Sequence, residues 1–99
     1  MTTINYIKPL ITIGIPTYMR KGTIVKRIEE LKKKTLPEEV EVLVIDNAST
    51  DGTFEALTEQ CRNTDIKVLQ NPSNLGFHGN FVQLLKKCNS NYLLYSSDE

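Results

Sequence analysis

The sequence predicts an α/β domain of three layers, with helices covering both faces of a mostly parallel sheet. Two observations predict it: short apolar, β-branched runs recur along the chain, and the segments between them repeat their apolar residues every three to four positions. A third adds direction, because polar residues collect just after the strand runs, at the edge where open α/β sheets bind ligands.

Residues 10–15, LITIGI, read as a buried strand that closes at Pro16. From Thr23 the period changes, and Ile24, Ile28 and Leu31 fall at i, i+4 and i+7 with Lys26, Arg27, Glu29, Glu30 and Lys32 to Lys34 mostly elsewhere. This is an amphipathic helix with Thr23 as the expected N-cap and a lysine-rich end that suits the negative pole of the helix dipole. Pro37 stops it, and Val40 to Ile45 (VEVLVI) is a second strand, ended by the polar cluster Asp46 to Gly52. Phe54, Leu57 and Cys61 share one face of a second helix over residues 53–62, and IKVL at 66–69 is a third strand. Asn71 to Asn74 form a loop. Residues 76–87 form a third helix, with Phe77, Phe81, Leu84, Leu85 and Cys88 spaced for burial, before YLLY at 92–95 gives a fourth strand. The order β-α-β-α-β-α-β requires right-handed crossovers in a parallel sheet.

The bulk properties bound the function. The 99 residues are 39% hydrophobic and 24% charged, a globular composition for one domain with one modest core and marginal stability. Twelve basic residues balance twelve acidic ones, so no overall field attracts nucleic acid, and a nucleic-acid partner is not expected. Cys61 and Cys88 lie far apart without a CxxC or histidine-rich companion, which points to neither a zinc site nor a disulfide framework and fits a reducing cytosol. The start, MTTINYIKPLITIGIP, lacks the charged head and long apolar run of a signal peptide, and no stretch reaches the roughly 18 apolar residues of a membrane span.

Thr17, Tyr18 and Arg20 follow the first strand, Asp46 and Asn47 the second, and Asp98 the fourth. By itself this layout fits a generic pocket as well as a dedicated one. Asp46 precedes Asn-Ala-Ser-Thr-Asp-Gly, so standing alone it fits turn capping better than ligand binding, and Ser49, Thr50 and Asp51 fit turn and N-cap roles. Asp98 and Glu99 are a carboxylate pair at a strand end of the kind that shares a divalent cation, although acidic pairs at a chain end are more often solvated. His78, between Phe77 and Gly79, has no carboxylate partner in sequence and reads as structural. Neither GxGxxG nor GxxxxGK[ST] is present, which excludes dinucleotide and P-loop readings. A receiver-type signalling module needs an aspartate at the end of the third strand, where Leu69-Gln70-Asn71 stands.

Taken together, Ile13-Gly14-Ile15-Pro16-Thr17-Tyr18-Met19-Arg20, Lys34-Thr35-Leu36-Pro37, Val42 to Thr53 (VLVIDNASTDGT), Asn71 to Asn80 (NPSNLGFHGN) and Tyr92 to Glu99 (YLLYSSDE) resemble, in order and spacing, the N-terminal half of family 2 glycosyltransferases. The resemblance covers nearly everything from residue 11 onward. It implies a Rossmann-like GT-A fold and, in the parent enzyme, transfer of a sugar from a nucleotide-diphospho-sugar donor to an acceptor hydroxyl, with inversion. The acceptor would be a glycan, lipid or protein, as in cell-wall or polysaccharide biosynthesis, and the enzyme would work in the cytoplasm or at the inner face of the membrane.

The resemblance also assigns nucleotide binding to Pro16, Thr17, Tyr18, Arg20, Asp46, Asn47, Gly76, Asn80 and Asp98. Asp98 would be the first aspartate of a Asp-x-Asp motif that holds Mn2+ or Mg2+. Met19 stands where the family has Asn and Ala48 where it has Gly, departures that bear on loop geometry and leave the carboxylates in place. The motif's second aspartate would fall at position 100, and the acceptor-binding half and general base further on. Residues 1–99 are therefore expected to be a single incomplete domain with no catalytic base, inactive alone and open to self-association along an unpaired sheet edge.

Overall fold

The computed structural model describes residues 9–99; of the N-terminal stretch weighed above as a leader, residues 1–8 lie outside the described residues. The elements are β1 (Ile11–Thr17), α1 (Lys21–Lys32), β2 (Val40–Asp46), α2 (Thr53–Gln60), β3 (Lys67–Gln70), α3 (Gly76–Lys87) and β4 (Tyr92–Tyr95). Every strand pairing is parallel, and the order across the sheet is β3-β2-β1-β4. Among the described residues no helix is long and apolar enough to cross a membrane.

Alternation along the central strands builds the three layers, because successive side chains leave a strand on opposite faces. Ile15, Val42 and Val44 meet Ile24, Ile28 and Leu31 of α1 and Leu57 of α2, with Cys61 just past that helix. On the other face Leu43 and Ile45 meet Leu84 of α3. From β1 to β3 the chain advances one way with α1 and α2 on one face, then returns past β1 to β4 with α3 on the other. Crossovers of a single hand exchange faces when the direction reverses. The return is tight at Gly14, where a Cβ would stand 2.7 Å from Leu93 Cδ1 and 3.2 Å from Leu84 Cδ2.

Two boundaries beside the switch point differ from the sequence expectations through tertiary contacts. β1 runs through Pro16 to Thr17. Ser96 N–H donates to the Gly14 carbonyl, so the even-numbered backbone groups of β1 face β4, and the missing N–H of Pro16 lies beyond the last β1–β4 register pair, Gly14 with Tyr95. α1 begins at Lys21, which puts Thr23 inside the helix and not at its cap. The Lys21 N–H instead meets Asp51 Oδ2 at 3.4 Å, from the loop after β2. Asp51 also receives the backbone N–H (3.1 Å) and the hydroxyl of Thr53 at the start of α2, so one carboxylate serves two helix starts.

The buried face of α3 also differs: Leu84 and Asn80 are buried, whereas Phe77 and Leu85 are 68% and 51% exposed. Asn80 turns the helix, since its Nδ2 donates to the Ile45 carbonyl (3.1 Å) and its Oδ1 accepts from Asn71 (3.0 Å), bonds available only if this face meets β2. A polar residue therefore takes a place that the apolar spacing assigned to its neighbours.

Glu41, at the start of β2, is buried and ion-pairs with Lys67 Nζ at 2.6 Å while accepting from the Thr12 hydroxyl at 2.9 Å. Burial pushes its carboxyl up, but the Lys67 and Thr12 hydrogen bonds and the Lys67 charge outweigh it and hold the group below the ordinary value of 4.5. A depressed native pKa contributes stability that is present above the unfolded value and lost as pH falls through the native one. The wild-type Tm is therefore expected to fall more steeply below pH 4.5 than that of Glu41→Gln. Parallel acid limbs in calorimetry would refute this.

Candidate functional site

Reversal of the strand order between β1 and β4 makes a topological switch point, and open α/β sheets bind ligands there, outside the carboxyl ends of the strands. At that place is a cavity of about 370 Å³, within the usual range of small-molecule sites. A larger hollow of about 600 Å³ lies at the opposite end of the sheet, around Leu36, Pro37 and Lys67. It lies away from the switch point and holds none of the residues assigned from the sequence.

Thr17 and Asp98, 81 positions apart, form the floor: Thr17 Oγ1 donates to Asp98 Oδ2 at 3.1 Å. Arg20 Nε stands 3.5 Å from the same oxygen and Arg20 Nη2 3.4 Å from Glu99 Oε2. Asp98 is buried, whereas the Arg20 side chain is half exposed. Behind this segment Arg27 Nη2 donates to Ser96 Oγ at 3.0 Å, so α1 steadies the strand end that carries Asp98. Tyr18 is exposed on one side, and Phe77 and Tyr95, in edge-to-face contact at 6.1 Å, stand on the other.

The remaining wall is an asparagine network. Asn47 Nδ2 donates to Asn74 Oδ1 (2.9 Å) and the Gly76 carbonyl (3.1 Å), while its Oδ1 accepts from Leu75 N–H (2.9 Å) and Asn71 Nδ2 (3.0 Å). Asn71 continues to Asn80, which continues to the backbone of β2. Four asparagines thus tie the start of α3 to the end of β2. Buried amides with all these partners resist rearrangement, because breaking any bond leaves a polar group unpaired.

Eight of the nine residues assigned to the nucleotide line the cavity: Pro16, Thr17, Tyr18, Arg20, Asn47, Gly76, Asn80 and Asp98. The ninth, Asp46, lies behind the wall. It is fully buried, its Oδ1 accepting from the Ser49 hydroxyl (2.5 Å) and its Oδ2 from Ser49 N–H (2.9 Å) and Gln70 (3.2 Å), so the capping reading describes its geometry. Asn47 and Asn80 border the cavity with their amides already engaged by the protein. Sequence reasoning missed Asn74, Phe77, Tyr95 and Ser97 as lining residues and Asn71 as the network's centre. The repeated asparagines were visible, but only the strand order brings them together. His78 is exposed and outside the cavity.

Among the described residues no group of three or more His, Cys, Asp or Glu side chains converges as a metal cage. Asp98 still suits a divalent cation as one ligand: it is an oxygen donor of the hard type such ions prefer, and a positive group, the Arg20 guanidinium, already sits against its Oδ2.

The model of the family described as Glycosyl transferase family 2 matches residues 12–98, nearly the whole chain. The chain belongs to glycosyl transferase family 2. It is similar to abequosyltransferase RfbV of Salmonella typhimurium, 31% identical over 94 residues that make up 91% of this chain and 28% of that protein. Among solved structures it is similar to S. aureus TarS 1–349 in complex with UDP, at 30% identity and TM-score 0.70, over 90% of this chain and 27% of that one. It is similar too to the mannosyltransferase PcManGT from Pyrobaculum calidifontis in complex with GDP-Man and Mn2+, at 27% identity and TM-score 0.66, over 80% of this chain and 24% of that one. The chain thus spans about a quarter of the length of these proteins, and its fold is the Rossmann-like GT-A arrangement that the resemblance implied.

Both departures from the family pattern fall at left-handed backbone: Met19 has φ 53° and Ala48 φ 64°. Asn and Gly are favoured in this conformation, and other residues pay roughly 1–2 kcal/mol for it. The loops keep the conformation through contacts with each other, Met19 N–H donating to Ser49 Oγ at 2.7 Å and Thr50 N–H to Met19 Sδ at 3.2 Å.

Proposed function

We propose that this chain forms the donor-binding half of a glycosyltransferase that moves a sugar from a nucleotide-diphospho-sugar to an acceptor hydroxyl with inversion. The observation that carries the reading is the switch-point cavity, in which Asp98 meets the loop of Thr17, Tyr18 and Arg20 from 81 positions beyond Thr17. It is supported by two similar structures in complex with UDP or with GDP-Man and Mn2+. The acceptor oxygen attacks the anomeric carbon as the bond to the diphosphate breaks, and negative charge develops on the leaving diphosphate. Arg20 is placed to receive that charge. Thr17 orients the Asp98 carboxylate, and Tyr18 offers an exposed ring to the base or ribose. Asp98 would serve as one ligand of a divalent cation, which when bound would neutralise the diphosphate as a Lewis acid. The acceptor is a glycan, lipid or protein hydroxyl, which a general base deprotonates as it attacks.

Calorimetric titration with UDP and GDP, with and without Mn2+, is expected to show binding that weakens when the metal is withheld. Absence of heat with either nucleotide at millimolar concentration would overturn the reading.

A further inference from the structure

We propose that Arg20 is the resident counter-ion of Asp98, pairing with one oxygen of that carboxylate in the empty site and exchanging it for the donor diphosphate. The proposal rests on the donor-site reading above and adds a coupling between the two ligands. Arg20 Nε and the Thr17 hydroxyl share Asp98 Oδ2, and among the described residues Oδ1 has no protein donor. At 3.5 Å and 3.4 Å the Arg20 contacts are longer than the roughly 2.7–2.9 Å of a tight charge-assisted bond, so the pair is electrostatic and loose.

The backbone beneath it is held from both sides. Met19 N–H is bonded to Ser49 and Lys21 N–H to Asp51, so residue 20 is fixed at the start of α1 while its half-exposed side chain keeps its freedom. A pinned base and a loose guanidinium allow the group to turn from Asp98 to another anion in the same cavity. Electrostatics sets the order. A divalent cation bonded to Asp98 at about 2.0–2.6 Å would stand within a few ångströms of the guanidinium, and like charges so close repel strongly in a partly desolvated site. Arg20 therefore weakens cation binding while the cavity is empty. Once a diphosphate supplies negative charge, Arg20 moves to it and frees Asp98, so nucleotide and cation bind cooperatively.

Water-proton relaxation gives the Mn2+ affinity directly, without reference to activity. Arg20→Gln is expected to bind Mn2+ alone roughly tenfold more tightly than wild type, with Asp98→Asn in the same background removing the gain. Arg20→Lys keeps the charge and the wild-type affinity. UDP or GDP is expected to strengthen Mn2+ binding in wild type and much less in Arg20→Gln. Unchanged or undetectable Mn2+ binding in Arg20→Gln, or a gain that survives Asp98→Asn, overturns the counter-ion assignment. Failure of the wild type to bind either nucleotide sinks the donor-site reading instead, and the Mn2+ comparison still decides the assignment.

Discussion

Ile28→Ala is expected to destabilise the protein by about 2–5 kcal/mol, the range for truncating a fully buried aliphatic side chain. Ile28 has no exposed surface and sits among Ile15, Ile24, Val42, Val44 and Leu57, where α1 and α2 meet the sheet. A chain of 99 residues has little reserve, since domain stabilities are roughly 5–15 kcal/mol in total, so the loss is a large fraction. The consequence reaches the site, because α1 begins beside Arg20 and its Arg27 steadies Ser96. Urea unfolding of Ile28→Ala beside Ile28→Val, expected to cost roughly 0.5–1.5 kcal/mol, checks it. Equal effects from the two would refute close packing around the Ile28 side chain.

The second large effect is expected from Asn47→Ala. This change removes four hydrogen bonds and leaves Asn71, Leu75 and Gly76 groups without their partners. Unsatisfied buried groups cost about 1–3 kcal/mol each when water cannot reach them, and some of these sit at the cavity edge where water can. We expect a net loss of roughly 2–4 kcal/mol, with faster amide exchange at residues 74–76 and weaker nucleoside diphosphate binding. Asn47→Asp separates the two roles of the amide. It keeps both acceptor contacts and replaces the donor with a carboxylate facing the Asn74 and Gly76 oxygens, so it should also destabilise. Wild-type exchange rates at 74–76 in Asn47→Ala would show that the network does not hold the start of α3.

The two asparagine-rich stretches show how far the sequence could be read. Asn71 and Asn74 were legible as turn formers and Asn80 as a family position, and both descriptions are local. Their common task, tying α3 to the end of β2, needs β2 and β3 to be neighbours and α3 to return across the opposite face. Phe77 and Leu85 mislead for the same reason: apolar spacing marks a helix without saying which of its faces a buried amide will claim. Asp46 fits two readings in sequence, and in the structure both its oxygens accept hydrogen bonds, from Ser49 and Gln70.

By itself the sequence determined what is encoded over short distances: the β-α-β-α-β-α-β order, the strands' apolar runs, the helical period of α1 and the polar residues that end each strand. These follow from backbone geometry and side-chain period, which act within a few residues. Tertiary structure alone decided the strand order, and with it the switch point between β1 and β4, the contact of Thr17 with Asp98, and the pairing of Arg20 with that carboxylate. It also decided that Asp51 serves two helices and that Asn80 faces the sheet. The physical reason is that the deciding contacts, Asp51 with Thr53 apart, join residues 30 to 81 positions apart, whose meeting depends on how whole layers pack and not on any local preference of the chain.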